Sequence, residues 1–227
     1  MTVNEAKEET AVQDEASSRS QFLKIAGGTG AAGALAIFIA ACGGSDNSGS
    51  SDSSKSSSDT SSKPKADKGD LAIVNYALTL EYLEADFYDQ AIKSGAVKTK
   101  AVAEVAKTIV EDEHEHVRAL TATVEQLGGK PAAKPKTKFD SVLAGGEKKI
   151  LETAAMVENL GAAAYLGQAG NIKNAEALAA ALAIHTVEAR HAATLNRALG
   201  LSPTPDGAFG KPADMPTVLA AVKPFLV

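Results

Sequence analysis

One stretch of seven residues, EDEHEHV at 111–117, concentrates the residue types of a metal site. It contains two overlapping Glu-x-x-His pairs, Glu113/His116 (the inner pair) and Glu111/His114 (the outer pair). A third pair of this kind occurs later, Glu188/His191. Residues three apart on a helix project from one face, so the Glu and His of a pair can bind one metal ion. The inner and outer pairs cannot both face inward, and the choice between them decides the predicted site.

The apolar residues around this stretch favour the inner pair. At about 100° per residue they form one stripe on a helix, with Val105, Ile109, Val117, Leu120 and Val124 among its members. The inner pair falls within this stripe, and the outer pair falls on the opposite, charged side. An internal repeat points the other way, because the outer pair and the Glu188/His191 pair are offset by 77 residues, as are Glu81/Tyr88 and Glu158/Tyr165. We choose the inner pair because ligands on the solvent side of a bundle cannot meet the other helices.

Four long segments with helical periodicity must position these residues. They are rich in Ala, Leu, Val and Glu and run over about 70–94, 98–128, 146–170 and 174–199. Asp70 is a candidate N-cap of the first segment, and Gly95 follows its end. The first and third connections are short, which predicts two antiparallel hairpins, and the longer stretch 129–145 can cross between them. The sequence therefore predicts an all-α, four-helix bundle.

The same phase analysis places further carboxylates inside this bundle. Glu81 and Glu84 lie in the apolar stripe of the first segment, and Glu158 lies in that of the third. In the fourth segment Glu188 and His191 are inward. The analysis places two amides outward, Asn159 in the third segment and Asn196 in the fourth.

Five inward carboxylates need positive charge. Burying them costs several kcal/mol per ion unless each is paired, and the stripes contain no Lys or Arg. Two divalent metal ions would supply the charge, whereas the alternative is a polar core without metal. Oxygen and nitrogen ligands without a thiolate suit iron or manganese better than a closed zinc site.

The motifs resemble the ferritin-like superfamily, and most of all its exported branch, the ferritin-like or desiccation-related domain proteins. The residues that carry the resemblance are Leu80 to Glu84 with Tyr88, Glu113-x-x-His116, Glu158 to Gly161 with Tyr165, and Glu188-x-x-His191. The resemblance implies a ferritin-like fold closed by a short C-terminal helix. It also implies a metal ligand set, namely Glu81, Glu113, His116, Glu158, Glu188 and His191, with Glu84 as an additional candidate.

The resemblance has consequences for roles as well. It implies that Tyr88 and Tyr165 hydrogen-bond to ligand carboxylates, and that the metals are two iron ions, with manganese as the alternative. Fe(II) and dioxygen or peroxide are the substrates that relatives suggest, and a homodimer is compatible with the family. His114 and His185 are expected on the surface.

The N-terminal third predicts export. A basic flank and an apolar run at 25–41 precede Cys42, the single cysteine, and Ile39 to Cys42 resembles a bacterial lipobox. This pattern predicts a lipoprotein anchored to the outer face of the membrane through lipidated Cys42, with an uncleaved membrane helix as the alternative. Arg19 is followed by Ser20 where a twin-arginine signal has its second arginine, so the export route stays open.

These observations predict four regions: an export signal (1–42), a disordered Ser-rich tether (43–69), the four-helix bundle (70–200) and a C-terminal segment packed on it (201–227). The net charge of −5 argues against a nucleic-acid partner. The favoured function is a membrane-tethered dimetal protein that oxidises iron or consumes dioxygen or peroxide. The alternatives are a non-catalytic metal-binding or stress-related envelope protein and a metal-free interaction module.

Overall fold

The computed structural model describes residues 67–227, which fold as an all-α protein. Its α-helices are α1 (Lys68–Ser94), α2 (Lys100–Gln126), α3 (Asp140–Ala144), α4 (Gly146–Ala169), α5 (Ala175–Ala198) and α6 (Met215–Val222), followed by the 3₁₀ turn Lys223–Phe225. The predicted export signal, the lipidation of Cys42 and nearly all of the predicted tether lie outside the described residues. Within 67–227, no helix is long and apolar enough to cross a membrane.

The four long helices form the predicted bundle. α1 packs mainly against α2, and α4 packs mainly against α5, while further contacts join α1 to α4 and α2 to α5. Each hairpin turn is short, and the residues at its ends stop one helix or cap the next. Gly95 ends α1 in the left-handed conformation (φ 62°), which a glycine adopts without strain, and Asn174 caps α5 through its side chain.

The N-cap prediction for α1 is wrong. The cap is Asp67, whose carboxylate accepts the N–H of Gly69 at 2.8 Å. Asp70 lies in the first turn and is buried, where it accepts the backbone N–H groups of Lys173 and Asn174 at 2.9 and 2.8 Å. Asp70 therefore fastens the start of α1 to the start of α5.

The structure also corrects the predicted outward placement of Asn159 and Asn196. Asn196 is buried, and it exchanges side-chain hydrogen bonds with Asn159 at 3.0 and 3.2 Å. The pair lies between α4 and α5, where two amides can satisfy one another and so avoid the penalty of unpaired burial.

The crossover and the chain end pack together. The crossover contains the short helix α3, which the sequence did not predict, and Phe139 at its start stacks against Phe225 with ring centroids 5.3 Å apart. The chain end also pairs with the crossover, because Lys138 N–H donates to the carbonyl of Phe225 at 2.9 Å. The short C-terminal helix α6, predicted by the resemblance, buries Val218 and Val222 in the main core.

Candidate metal centre

The structure brings all six predicted ligands together at the middle of the bundle. The four glutamates have no exposed surface, and the two histidines are 7% exposed. They form two overlapping groups whose ligand atoms lie within 4.8 Å of one another. Position 1 consists of Glu81, Glu113, His116 and Glu188, and position 2 consists of Glu113, Glu158, Glu188 and His191. One carboxylate or Glu-x-x-His pair comes from each of α1, α2, α4 and α5.

Two glutamates belong to both positions. Glu113 has one oxygen 3.3 Å from Nδ1 of His116 and the other 3.1 Å from Nδ1 of His191. Glu188 has an oxygen 3.2 Å from Nδ1 of His116. Carboxylates in this arrangement can bridge two ions, whereas Glu81 and Glu158 each serve one position.

The helical phase of α2 is as predicted. The inner pair is buried, whereas Glu111 is exposed and the side chain of His114 is 43% exposed. His114 lies 3.3 Å from Asp89 on the outer surface. The 77-residue spacing of the outer pair is therefore misleading, because the inner pair, at a spacing of 75, faces the other helices.

The donor set fits cations better than it fits a hydrogen-bond network. Nδ1 of His116 has carboxylate oxygens of Glu81, Glu113 and Glu188 at 3.1, 3.3 and 3.2 Å, yet a ring nitrogen carries at most one hydrogen. Both oxygens of Glu188 and Nδ1 of His191 are buried without a hydrogen-bond partner. Buried polar atoms are rarely left in this condition, and divalent ions would satisfy them together.

Glu81 and Glu158 each belong to a single metal position, and we call them the terminal carboxylates. A tyrosine donates a hydrogen bond to each of them. The hydroxyl of Tyr165 donates to Glu81 at 2.5 Å, and that of Tyr88 donates to Glu158 at 2.6 Å. Burial and the adjacent carboxylates raise the pKa of both tyrosines well above the usual value, so both remain donors. Each donor leaves the second carboxylate oxygen of its partner available to a metal.

The pKa values of the clustered glutamates and histidines are shifted because many charged groups share one buried volume. Burial raises the pKa of Glu113 to about 8, even though His116 and His191 lower it. Burial lowers the pKa of His191, but the close carboxylates of Glu113 and Glu158, 3.1 and 3.2 Å from its Nδ1, outweigh burial and raise the pKa to about 11. Without metal, the imidazoles therefore hold protons that serve as counter-charge for the glutamates, and a bound metal would displace them.

Sequence reasoning missed the role of Asp112. Its carboxylate lies 3.0 Å from Nε2 of His191, on the side of the ring away from the centre. A carboxylate in this place fixes the tautomer and orientation of a ligating histidine. The same 75-residue shift that relates the inner pair to Glu188/His191 relates Asp112 to Val187, so the repeat supplies no such carboxylate for His116. The available signal was an Asp immediately before a Glu-x-x-His pair.

Glu84 and Gly161 lie beside the centre. Glu84 is buried and belongs to neither metal position, and its Oε2 has no hydrogen-bond partner. A Cβ added at Gly161 would lie 2.7 Å from an oxygen of Glu188 and 3.0 Å from an oxygen of Glu84. The absence of a side chain at Gly161 therefore makes room for both carboxylates. His185, expected on the surface, is half-buried and also lies outside both positions.

Comparison with known proteins identifies the family. A family model described as a ferritin-like domain matches residues 69–201, which is more than half of the chain. A search of the curated proteins finds none that matches this sequence.

Proposed function

The chain belongs to the ferritin-like domain family, and on that premise we propose that it binds two divalent metal ions, most suitably iron, between its four long helices. The observation that carries the proposal is the sharing of Glu113 and Glu188 between two buried Glu/His groups. Four carboxylates and two imidazoles around one small volume match the ligand set of dimetal-carboxylate bundles. Oxygen and nitrogen donors without sulfur favour iron or manganese.

We propose further that the centre is redox-active. Two bound ferrous ions would become ferric and supply two electrons, which together with two protons from solvent would reduce one hydrogen peroxide to two waters or one dioxygen to hydrogen peroxide. The protein's part is to hold the ligands. Tyr165 and Tyr88 orient the terminal carboxylates, and Asp112 orients His191. The buried walls of the bundle exclude bulk water, which strengthens every charge interaction at the site.

Iron titration tests both parts of the proposal. Ferrous iron is added to the full chain without oxygen, the bound metal is measured, and hydrogen peroxide or dioxygen is then added. We expect two Fe(II) to be oxidised for each peroxide consumed. Glu113→Gln should bind less iron, while the matched outer variant Glu111→Gln should behave as the natural chain does.

Each alternative function gives a different result. Tight metal binding and thermal stabilisation without oxidation would indicate a non-catalytic metal-binding protein of the envelope. Identical melting in chelator and in Fe(II) would indicate a metal-free interaction module. Either result would reject the redox proposal, and the second would also reject the metal proposal.

The cellular location is a separate proposal that rests on the sequence pattern around Cys42. We propose that Cys42 is lipidated and that the folded part is held at the outer face of the membrane. Expression in a bacterium with fractionation and mass spectrometry tests this. The natural chain should be recovered from membranes with an acylated N-terminal cysteine, and Cys42→Ala should lose that modification. An unmodified chain in the membrane fraction would support an uncleaved membrane helix instead.

A further inference from the structure

A small cavity, partly open to solvent, lies between the helices of the bundle next to position 1. Twelve residues of α1, α2, α4, α5 and the α4–α5 turn line it, and it offers about 20 Å³ to a small molecule. A cavity needs about 10–15 Å³ of such space to hold one water, so this cavity admits a molecule of two or three atoms.

The walls of the cavity come close to the ligands of position 1. Leu80 precedes Glu81 in the chain, and Leu120 lies one helical turn after His116. Tyr165 lines the cavity, and its hydroxyl is the one that donates to Glu81. Leu80, Leu120 and Tyr165 therefore connect the cavity to position 1. The two ligands that belong to position 2 alone are farther along their helices from the wall residues, since Ala164 is six residues from Glu158 and Ala181 is ten residues from His191.

The walls also define the chemistry of the occupant. Nine of the twelve lining residues are Ile, Val, Leu or Ala, and none is charged, so an ion would lose its hydration without compensation. The polar wall residues are Tyr76, Tyr165 and Gln168. The Tyr165 hydroxyl donates to Glu81, and the Gln168 carbonyl oxygen accepts from Asn171 at 3.3 Å, while the Tyr76 hydroxyl is buried without a hydrogen-bond partner. An ordered water needs two to four polar partners, more than the Tyr76 hydroxyl alone supplies, whereas an uncharged diatomic gas needs none.

We propose that this cavity binds a small uncharged gas molecule of the dioxygen class beside position 1. Occupancy of the cavity is independent of any metal. Delivery of the gas from the cavity to the centre rests on the proposed redox function. The tests below separate these two parts.

Xenon tests occupancy, because it enters dry apolar cavities of suitable size. The full chain without metal is placed under xenon pressure, and methyl resonances are followed by NMR. We expect saturable shifts at Ala77, Leu120 and Ala181, which line the cavity, and none at Ala154 and Ala155, which are buried in the main core with Val218 and Val222. Unchanged cavity methyls, or equal shifts in both sets, would overturn the proposal. Unchanged methyls would indicate a tightly held water or a closed cavity.

Filling the cavity tests delivery. Ala181→Val places two extra methyl groups at the wall of the cavity, and Ala183→Val, exposed on the same helix, is the matched control for helix propensity. Ala77→Val fills the cavity from α1 and serves if Ala181→Val does not fold. We expect the filled variants to lose the xenon shifts, to bind Fe(II) as before, and to react with dioxygen about tenfold more slowly. Their reaction with hydrogen peroxide, a polar oxidant, should be unchanged.

The possible failures are distinguishable. Xenon shifts lost in a filled variant with an unchanged dioxygen rate would reject delivery but keep the binding site. Equal slowing with dioxygen and peroxide would mean that the substitution disturbs the centre, which also rejects delivery. Xenon binding in a chain that never binds iron would reject the proposed function and leave the gas site intact.

Discussion

Replacement of Gly161 by alanine should separate the demands of the fold from those of the metal centre. Gly161 lies in α4, one turn after Glu158, and faces two buried carboxylates. An added Cβ would lie 2.7 Å from Oε2 of Glu188, whereas ordinary contact begins at about 3.4 Å. Glu188 would therefore have to move by about 0.7 Å, the difference between these two distances.

The two consequences of this substitution have opposite signs. In a helix, alanine is more favourable than glycine by about 1 kcal/mol, which raises the melting temperature of a chain of this size by about 2–4 °C when nothing opposes it. Glu188 belongs to both metal positions, and metal–ligand distances tolerate changes of only about 0.2 Å. We expect metal affinity to fall by about 10–100-fold, the range for disturbed support of a ligand, or about 1.4–2.8 kcal/mol.

The assay combines calorimetric metal titration with thermal melting in chelator. Gly161→Ala should melt in chelator at or slightly above the natural chain and should bind Fe(II) or Mn(II) more weakly. Gly170→Ala is the matched control, because Gly170 is at the end of the same helix and an added Cβ there meets nothing within 4 Å. Natural metal affinity in Gly161→Ala would refute the assignment of Glu188 as a shared ligand.

Further predictions concern the ligands and the groups around them. Asp112→Asn should weaken metal binding at position 2 by about 10–100-fold and leave binding at position 1 unchanged. A stepwise calorimetric titration measures both affinities. Equal weakening at both positions would contradict the role of the Asp112 contact with His191. Tyr165→Phe removes the donor to Glu81 and should destabilise the chain by about 1.5–3 kcal/mol in denaturant unfolding, whereas Tyr82→Phe, a half-buried tyrosine of α1, should change it little. Without metal, burial raises the pKa of Glu113 to about 8, and the neighbouring carboxylates outweigh burial and raise the pKa of His191 to about 11. The folded chain therefore binds more protons than the unfolded chain. Its free energy of unfolding should fall as pH rises from about 5 to 11. Because metal displaces these protons, the rise in melting temperature on adding Mn(II) should be larger at pH 8 than at pH 6, and a smaller rise would contradict the assignment.

Much of the site was predictable because helical phase depends on sequence alone. The apolar stripe of α2 separates the buried Glu113 from the exposed Glu111, and the structure agrees with that separation. The four long helices follow from the same periodicity and from the glycines and prolines that end the segments, whereas the C-terminal helix was predicted from the family resemblance. Charge accounting then indicated a cation, because no lysine or arginine lies in the stripes.

The remainder depends on tertiary neighbours that periodicity does not encode. Helical phase predicts that Asn196 faces outward, yet it is buried because Asn159 on the adjacent helix forms hydrogen bonds with its amide. Asp70 reads as a local cap, but its partners are the backbone N–H groups at the start of α5, more than one hundred residues away. Asp112 lies at the edge of the stripe, and only the position of His191 on α5 gives it a role.

The most direct test of the central claim is the amount of metal bound by the purified full chain after anaerobic loading with Fe(II) and removal of excess ion. Elemental analysis should find about two irons per natural chain, about two in Glu111→Gln, and a clear loss in Glu113→Gln. Fewer than one iron in the natural chain, or an equal loss in the two variants, would contradict a dimetal centre built on the inward face of α2.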